Sequence, residues 1–229
     1  MLALTLLVTV GLTLLVAFAI GRTAAAASQP TPLVPRSGLV AGRSYGQWLV
    51  AAYRWRLALP GVTPNKTSCF TRSQHGPVWF LNGSEVNGTV VTRTCAIPPG
   101  RYLMLLVPGI DCSTIEAPPV HATTNAGLRR CVRAWWARHR GQETVTLDGK
   151  PLIPPGYLVA TSVFSFKIPA GNNWMYHVRG RTRGRAAAYG YASIMRPLTP
   201  GVHTIVQVEA PFAHTSESPL TITYRLRVG

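Results

Sequence analysis

From residue 44 onward the apolar positions recur first at helical and then at strand spacing. At about 100° per residue, Tyr45, Trp48, Leu49, Ala52, Trp55 and Leu59 share one face, with Gln47 and Arg54 opposite. This predicts an amphipathic helix over 44–59, with Ser44 as N-cap and Pro60 as stop. Arg56 falls among the aromatics, placed to stack on Trp48 or Trp55 or to snorkel outward on its methylene stem. Helical spacing returns over 124–139. There Leu128, Cys131, Val132, Trp135 and Trp136 share a face, Arg129, Arg130, Arg133 and Arg140 take the other, and Gly141 follows as a stop.

Elsewhere the period is two. Pro77 to Leu81 and Thr89 to Thr94 flank Asn82-Gly83 and Asn87-Gly88, which predicts a hairpin. Arg101 to Pro108 is nearly all apolar and reads as a buried strand, and Val145 to Leu152 reads as a hairpin on Asp148-Gly149. Phe164, Phe166 and Ile168 alternate with polar neighbours. Val202, Thr204, Val206 and Val208 alternate with His203, Ile205 and Gln207. Leu220, Ile222, Tyr224, Leu226 and Val228 form the cleanest half-buried strand. Many short strands with Gly/Pro turns and no βαβ rhythm predict a mainly β fold, an antiparallel β-sandwich with two amphipathic helices packed at one side.

Ahead of this domain, Met1 to Ile20 carries no charge, and small residues follow from Thr23 to Ser28. Residues 1–27 read as a secretory signal peptide cleaved near Ala27, or, if uncleaved, as an anchor meeting the membrane through residues 1–20. The Pro-containing stretch 28–43 reads as a linker, and 44–229 as a single domain. Export places the chain in the cell envelope or outside the cell. There Cys69, Cys95, Cys112 and Cys131, with no C-x-x-C pair among them, favour two disulfides over zinc. Three pairings exist; Cys69–Cys95 with Cys112–Cys131 is preferred, since each then brackets one local unit.

Composition narrows the function classes. With 47% hydrophobic and 13% charged residues the chain is not intrinsically disordered. Its formal net charge of +16 reads either as attraction for polyanions or as colloidal solubility at an unusual pH or salt.

Several motifs together resemble a family of exported bacterial proteins with no assigned activity. They are Tyr45-Gly46-Gln47-Trp48 with Tyr53-Arg54-Trp55, Gly76 to Leu81, Arg93-Thr94-Cys95-Ala96-Ile97-Pro98-Pro99-Gly100, Asp111-Cys112-Ser113-Thr114 and Pro197 to Ile205. The resemblance covers roughly 44–229 and implies export, disulfides and a β-rich fold. It supplies no function. The chain departs from the pattern at Arg179 to Arg185, which is more basic.

Candidate chemistry is sparse. Gly42-Arg43-Ser44-Tyr45-Gly46 matches G-x-S-x-G, but a nucleophile elbow needs a strand before it and a parallel sheet around it, so Ser44 reads as an N-cap. The histidines make no metal-ligand spacing, and neither a metal nor a cofactor is implied. Asp111 and Glu116 are a close carboxylate pair. With His75 and His121 they are the weak catalytic candidates for an exported hydrolase. A structural envelope protein is the third class considered. The leading reading is a non-catalytic binding module for a polyanion or glycan. Its site lies on the stretch 172–185, read as a long loop, where Trp174 and Tyr176 offer stacking faces and Arg179, Arg181, Arg183 and Arg185 offer charge. A second basic stripe, Arg129, Arg130, Arg133 and Arg140, would enlarge the site if it adjoined this one. Asn82 and Asn87, though in glycosylation sequons, read as turn residues.

Overall fold

In the computed structural model the described residues are 32–59, 69, 74–81, 83, 90–138, 142–171, 178, 180–210 and 219–229, the side chains of 106–108 excepted. Helix α1 (Tyr45–Ala58) begins at Ser44, whose hydroxyl accepts the Gln47 N–H while the Gln47 side chain accepts the Ser44 N–H. This reciprocal capping box satisfies two N–H groups that a helix end otherwise leaves open. The aromatic face is buried as its spacing predicts: Tyr45, Trp48, Ala52 and Trp55 lie against Val78, Phe80, Met104 and Ile194. Trp48 and Trp55 flank Phe80, with ring centroids at 6.2 and 5.4 Å. The cation over Trp48 is Arg43, at 5.1 Å, rather than Arg56. The expected signal or anchor segment lies outside the described residues.

The ten strands are β1 (Val78–Leu81), β2 (Val90–Ile97), β3 (Tyr102–Ser113), β4 (Glu143–Leu147), β5 (Lys150–Pro151), β6 (Tyr157–Ala160), β7 (Phe164–Ile168), β8 (Thr182–Met195), β9 (Gly201–Glu209) and β10 (Leu220–Val228), with α2 (Asn125–Arg138) between β3 and β4. They form two five-stranded mixed sheets. The first runs β1-β3-β8-β6, with β7 also on β8; the second runs β2-β10-β9-β4-β5. One core cluster joins Trp79, Leu81, Leu103 and Met195 of the first sheet to Ile97, Ile205, Ile222, Tyr224 and Leu226 of the second, so the sheets pack face to face. Each fully buried Leu or Ile here contributes about 1.5–3 kcal/mol.

Several local expectations change. The hairpin over 77–94 does not form: β1 pairs in parallel with β3 (Val78↔Tyr102) and β2 in parallel with β10 (Val90↔Thr221), in different sheets. β1 is buried along its whole length and needs layers on both faces, whereas β2 alternates exposed and buried residues. β1's backbone at Phe80 is met by the Gln74 side chain, which donates to Phe80 O at 2.7 Å and accepts from Phe80 N at 3.0 Å. On β9 the inward residues are Ile205 and Gln207, opposite Tyr224 and Ile222 of β10, while Val202 is 75% exposed. The turn at Asp148-Gly149 forms as expected, both residues having positive φ.

Both helices attach to the first sheet, on opposite faces. Ala186 and Ala188 of β8 pack with Val50 and Leu57 of α1, whereas Ala187 between them packs with Leu128 and Val132 of α2. Residues 32–43, expected as linker, are instead docked. Leu33 and Val40 are buried, Val34 N–H donates to Ile194 O, and the Tyr45 hydroxyl and Trp48 indole donate to Val34 O and Val40 O. These two buried side chains and three hydrogen bonds outweigh the tendency of Pro35 and Gly38 to leave the segment free.

Two disulfides close the fold, Cys69–Cys95 and Cys112–Cys131, as the local-unit pairing predicts. The described residues all fall in one compact unit, Thr31–Gly229.

Candidate anion-binding site

The stretch Thr182 to Arg185 is strand rather than loop. In β8 it pairs antiparallel with β7, with Lys167 opposite Arg183 and Ser165 opposite Arg185. Side chains alternate along a strand, so Lys167, Arg183, Ser165 and Arg185 project from one face of this ribbon, and Phe164, Phe166 and Ile168 from the other, into the core. Gly184 sits opposite Phe166; a β-carbon there would lie 2.6 Å from Phe166 Cζ. Glycine therefore lets the ring fill the layer beneath the basic residues.

Beside this ribbon lies a cleft of about 880 Å³, lined among others by Arg54, Thr114, Thr123, Lys167, Arg183 and Arg185. Arg54, from the polar face of α1, donates Nε–H to Ser165 O at 2.9 Å and stands 6.0 Å from the Phe164 ring. Arg185 donates Nη1 to Asn125 Oδ1 at 2.6 Å and Nη2 to Thr123 O at 2.8 Å, while its backbone N–H donates to Thr114 Oγ1 at 3.1 Å. These neutral acceptors fix the guanidinium groups without cancelling their charge. Among the described residues no carboxylate pairs with Arg54, Lys167, Arg183 or Arg185. The cleft is thus lined by cations from both faces of the ribbon, Arg54 beside Phe164 and Lys167, Arg183 and Arg185 opposite. A phosphate or sulfate group there can take charge-assisted hydrogen bonds from one or two of them, with the threonine hydroxyls as further donors.

Of the expected binding residues, Arg183 and Arg185 line this cleft, and Arg181 is exposed just before β8. Trp174, Tyr176 and Arg179 lie outside the described residues. Arg54 and Lys167 were missed. Lys167 was legible as the polar position in Phe164-Ser165-Phe166-Lys167-Ile168, but nothing local says that it faces Arg183.

The carboxylate candidates sit elsewhere. A one-residue register shift between Leu106 and Gly109 turns Asp111 onto the α1 face of the first sheet, where it is buried. Burial first, and Asp111 second, hold the Glu116 carboxyl well above its usual range. Its backbone N–H donates to Ser113 Oγ at 3.1 Å. Burial, reinforced by Asp111, likewise pushes the Tyr53 phenol up. His75 lines a depression with Trp48, Trp55 and Phe80, and His121 another with Arg130 and Trp135; neither includes Asp111 or Glu116. The structure thus brings the two carboxyls together; His75 and His121 line separate depressions, and the His121 backbone pairs with Ser113, which lies between Asp111 and Glu116 in sequence. The Ser44 hydroxyl is engaged as a cap.

A polar group that local pattern did not reveal is buried between the sheets. Arg93 is fully buried opposite Tyr224 in register, the Tyr224 hydroxyl donates to Gln207 Oε1 at 3.4 Å, and the Gln207 amide donates to the Glu209 carboxylate. Burial pushes Glu209 up to about 7, partly offset by Arg56. Glu143, opposite Glu209 in register, is raised well above its usual value by burial and then by Glu209.

No family model matches the chain, and no curated protein matches it. Two solved structures show a remote likeness. PbICP-C in complex with falcipain-2 has 13% identity and a TM-score of 0.25, and covers 67% of this chain and 100% of its own. Amebosin in solution has 11% identity and a TM-score of 0.18, with the same coverage of 67% and 100%. At such TM-scores the likeness carries no weight for fold or ligand.

Proposed function

We propose that this is an exported binding module, without catalysis, whose cleft between β7, β8, α1 and the 114–123 segment takes the phosphate or sulfate groups of an envelope or extracellular ligand. The observation that carries the reading is the set of four cations, Arg54, Lys167, Arg183 and Arg185, around one cleft with no carboxylate partner among the described residues. Two disulfides accord with an oxidising compartment, and no helix among the described residues is long and apolar enough to cross a membrane.

The test is thermal melting of the oxidised protein with tripolyphosphate, against sodium chloride at equal ionic strength. A ligand at 100 times its Kd stabilises by about 2.7 kcal/mol. The double substitution Lys167→Ser/Arg183→Ser removes two exposed cations from the cleft and should abolish the shift while leaving the ligand-free melt unchanged. No shift in the native protein, or an equal shift in the double variant, refutes the reading.

A further inference from the structure

The basic residues of β8 lead into those of α2 without a break. We infer that the ligand of the cleft is a linear polyanion, a chain of phosphate or sulfate groups about 25 Å long that runs from β8 onto the outer face of α2. The inference rests on the anion-binding reading of the cleft and extends it to the form of the ligand.

Three observations define the track. First, Arg185 joins the two elements, since its guanidinium donates to Asn125 Oδ1 at 2.6 Å and Thr123 O at 2.8 Å, at the very start of α2. Second, α2 lies along β8 in the same chain direction. Leu128 and Val132 pack on Ala187, and further along Trp136 meets Tyr189 and Tyr191 with ring centroids at 5.8 and 5.7 Å. The helix therefore starts beside Arg185 and runs over the following part of β8, in the direction set by the 182–185 end of that strand. Third, Arg129 and Arg133 follow Asn125 by four and eight residues. They occupy nearly one stripe of the helix, and both are exposed. The segment Asn125–Arg138 carries no acidic residue to interrupt that stripe.

The lengths follow from backbone geometry. The extended chain from Arg181, just before β8, to Arg185 spans about 13 Å. Eight residues of helix from Asn125 to Arg133 rise about 12 Å. A single tetrahedral anion reaches one or two of these cations; a flexible chain of them reaches all. Both polyphosphate and sulfated glycan chains have this chemistry.

Two chain-length series separate the sources. Titration calorimetry on the oxidised protein compares tripolyphosphate with linear polyphosphates up to and beyond 25 Å, and sulfated disaccharides with longer heparin-derived oligosaccharides. Affinity should rise at least tenfold with length in one series or both, then level off once the chain spans the track. A gain confined to one series identifies the source; a gain in both shows that the track reads charge spacing and not the chemistry of the backbone that carries it. Each lost phosphate contact flattens the dependence of log K on log salt by about 0.7. The substitution Arg129→Ser/Arg133→Ser should therefore flatten it by about 1.4 and bring a long chain down to the affinity of a short one. If short anions bind and length adds nothing, or if that variant keeps the gain, the polyanion inference falls and the cleft reading stands. If neither short nor long chains bind, both fall.

Discussion

His203 Nδ1 lies 2.7 Å from Asp148 Oδ2, and its Nε2 lies 2.9 Å from Thr199 O. The doubly protonated imidazolium satisfies both acceptors at once, whereas a neutral ring protonated at Nδ1 keeps the Asp148 bond and accepts from the Thr199 hydroxyl, 3.4 Å from Nε2. The other Asp148 oxygen accepts from Thr204 N–H at 2.7 Å, so one carboxylate ties the β4–β5 turn to β9. Partial burial works against the charge on each partner. For His203, the Asp148 and Thr199 bonds outweigh it and hold the imidazole above its ordinary value. For Asp148, the bonds from His203 and Thr204 hold the carboxyl below its ordinary value.

The pH dependence follows from these signs. A raised histidine contributes fully below its unfolded value, about 6.5, and loses that contribution as pH climbs through its folded value. A lowered aspartate contributes above its unfolded value, about 3.9, and loses it as pH falls through its folded value. The pair therefore stabilises most between about pH 4 and 6.5. The melting-temperature difference between the native protein and His203→Gln should be largest near pH 5–6 and shrink by pH 9. A difference independent of pH would show that the ring acts as a neutral hydrogen-bonding group.

Glu209 gives a second pH signature. Its folded value of about 7 lies above the 4.5 of an unperturbed glutamate. The folded state therefore holds its proton longer, and the associated stability is full below about pH 4.5 and lost as pH rises through about 7. Urea unfolding of the native protein should give a smaller free energy at pH 8 than at pH 5. In Glu209→Gln, which keeps a neutral hydrogen-bonding group, that decline should be smaller. An unchanged decline would place its origin in other groups.

Gly184 tests how the cleft is supported. Its missing β-carbon makes room for the buried Phe166 ring at 2.6 Å and for Ile115 Cγ2 at 3.2 Å. Gly184→Ala should destabilise by about 1–3 kcal/mol through overpacking and weaken anion binding by moving Lys167 and Arg183. Gly180→Ala meets no atom within 4 Å and should stay within about 0.5 kcal/mol of native. Chemical unfolding of the two variants side by side measures the contrast; equal stabilities would mean that Phe166 shifts freely.

What the sequence determined by itself are the features that one short segment can decide. The 3.6-residue period and the Ser44 cap define α1, the apolar stripe defines α2, and strict alternation defines β10. Asp148-Gly149 builds its turn because both residues tolerate positive φ. The disulfides were legible because each closes a short local loop. Tertiary structure alone decided what depends on distant partners. Val78 pairs with Tyr102 and Val90 with Thr221 because the two sheets must bury different numbers of faces, and no local pattern records that. A one-residue bulge beyond Leu106 turns Asp111 to the opposite face. Arg93, in a run of threonines and valines, becomes fully buried once β2 pairs with β10 and sets it opposite Tyr224. The cleft belongs to this second class. Arg181, Arg183 and Arg185 alternate with Thr182 and Gly184 at a spacing that a loop and a strand share, and it took pairing with β7 to align them with Lys167 and bring Arg54 alongside.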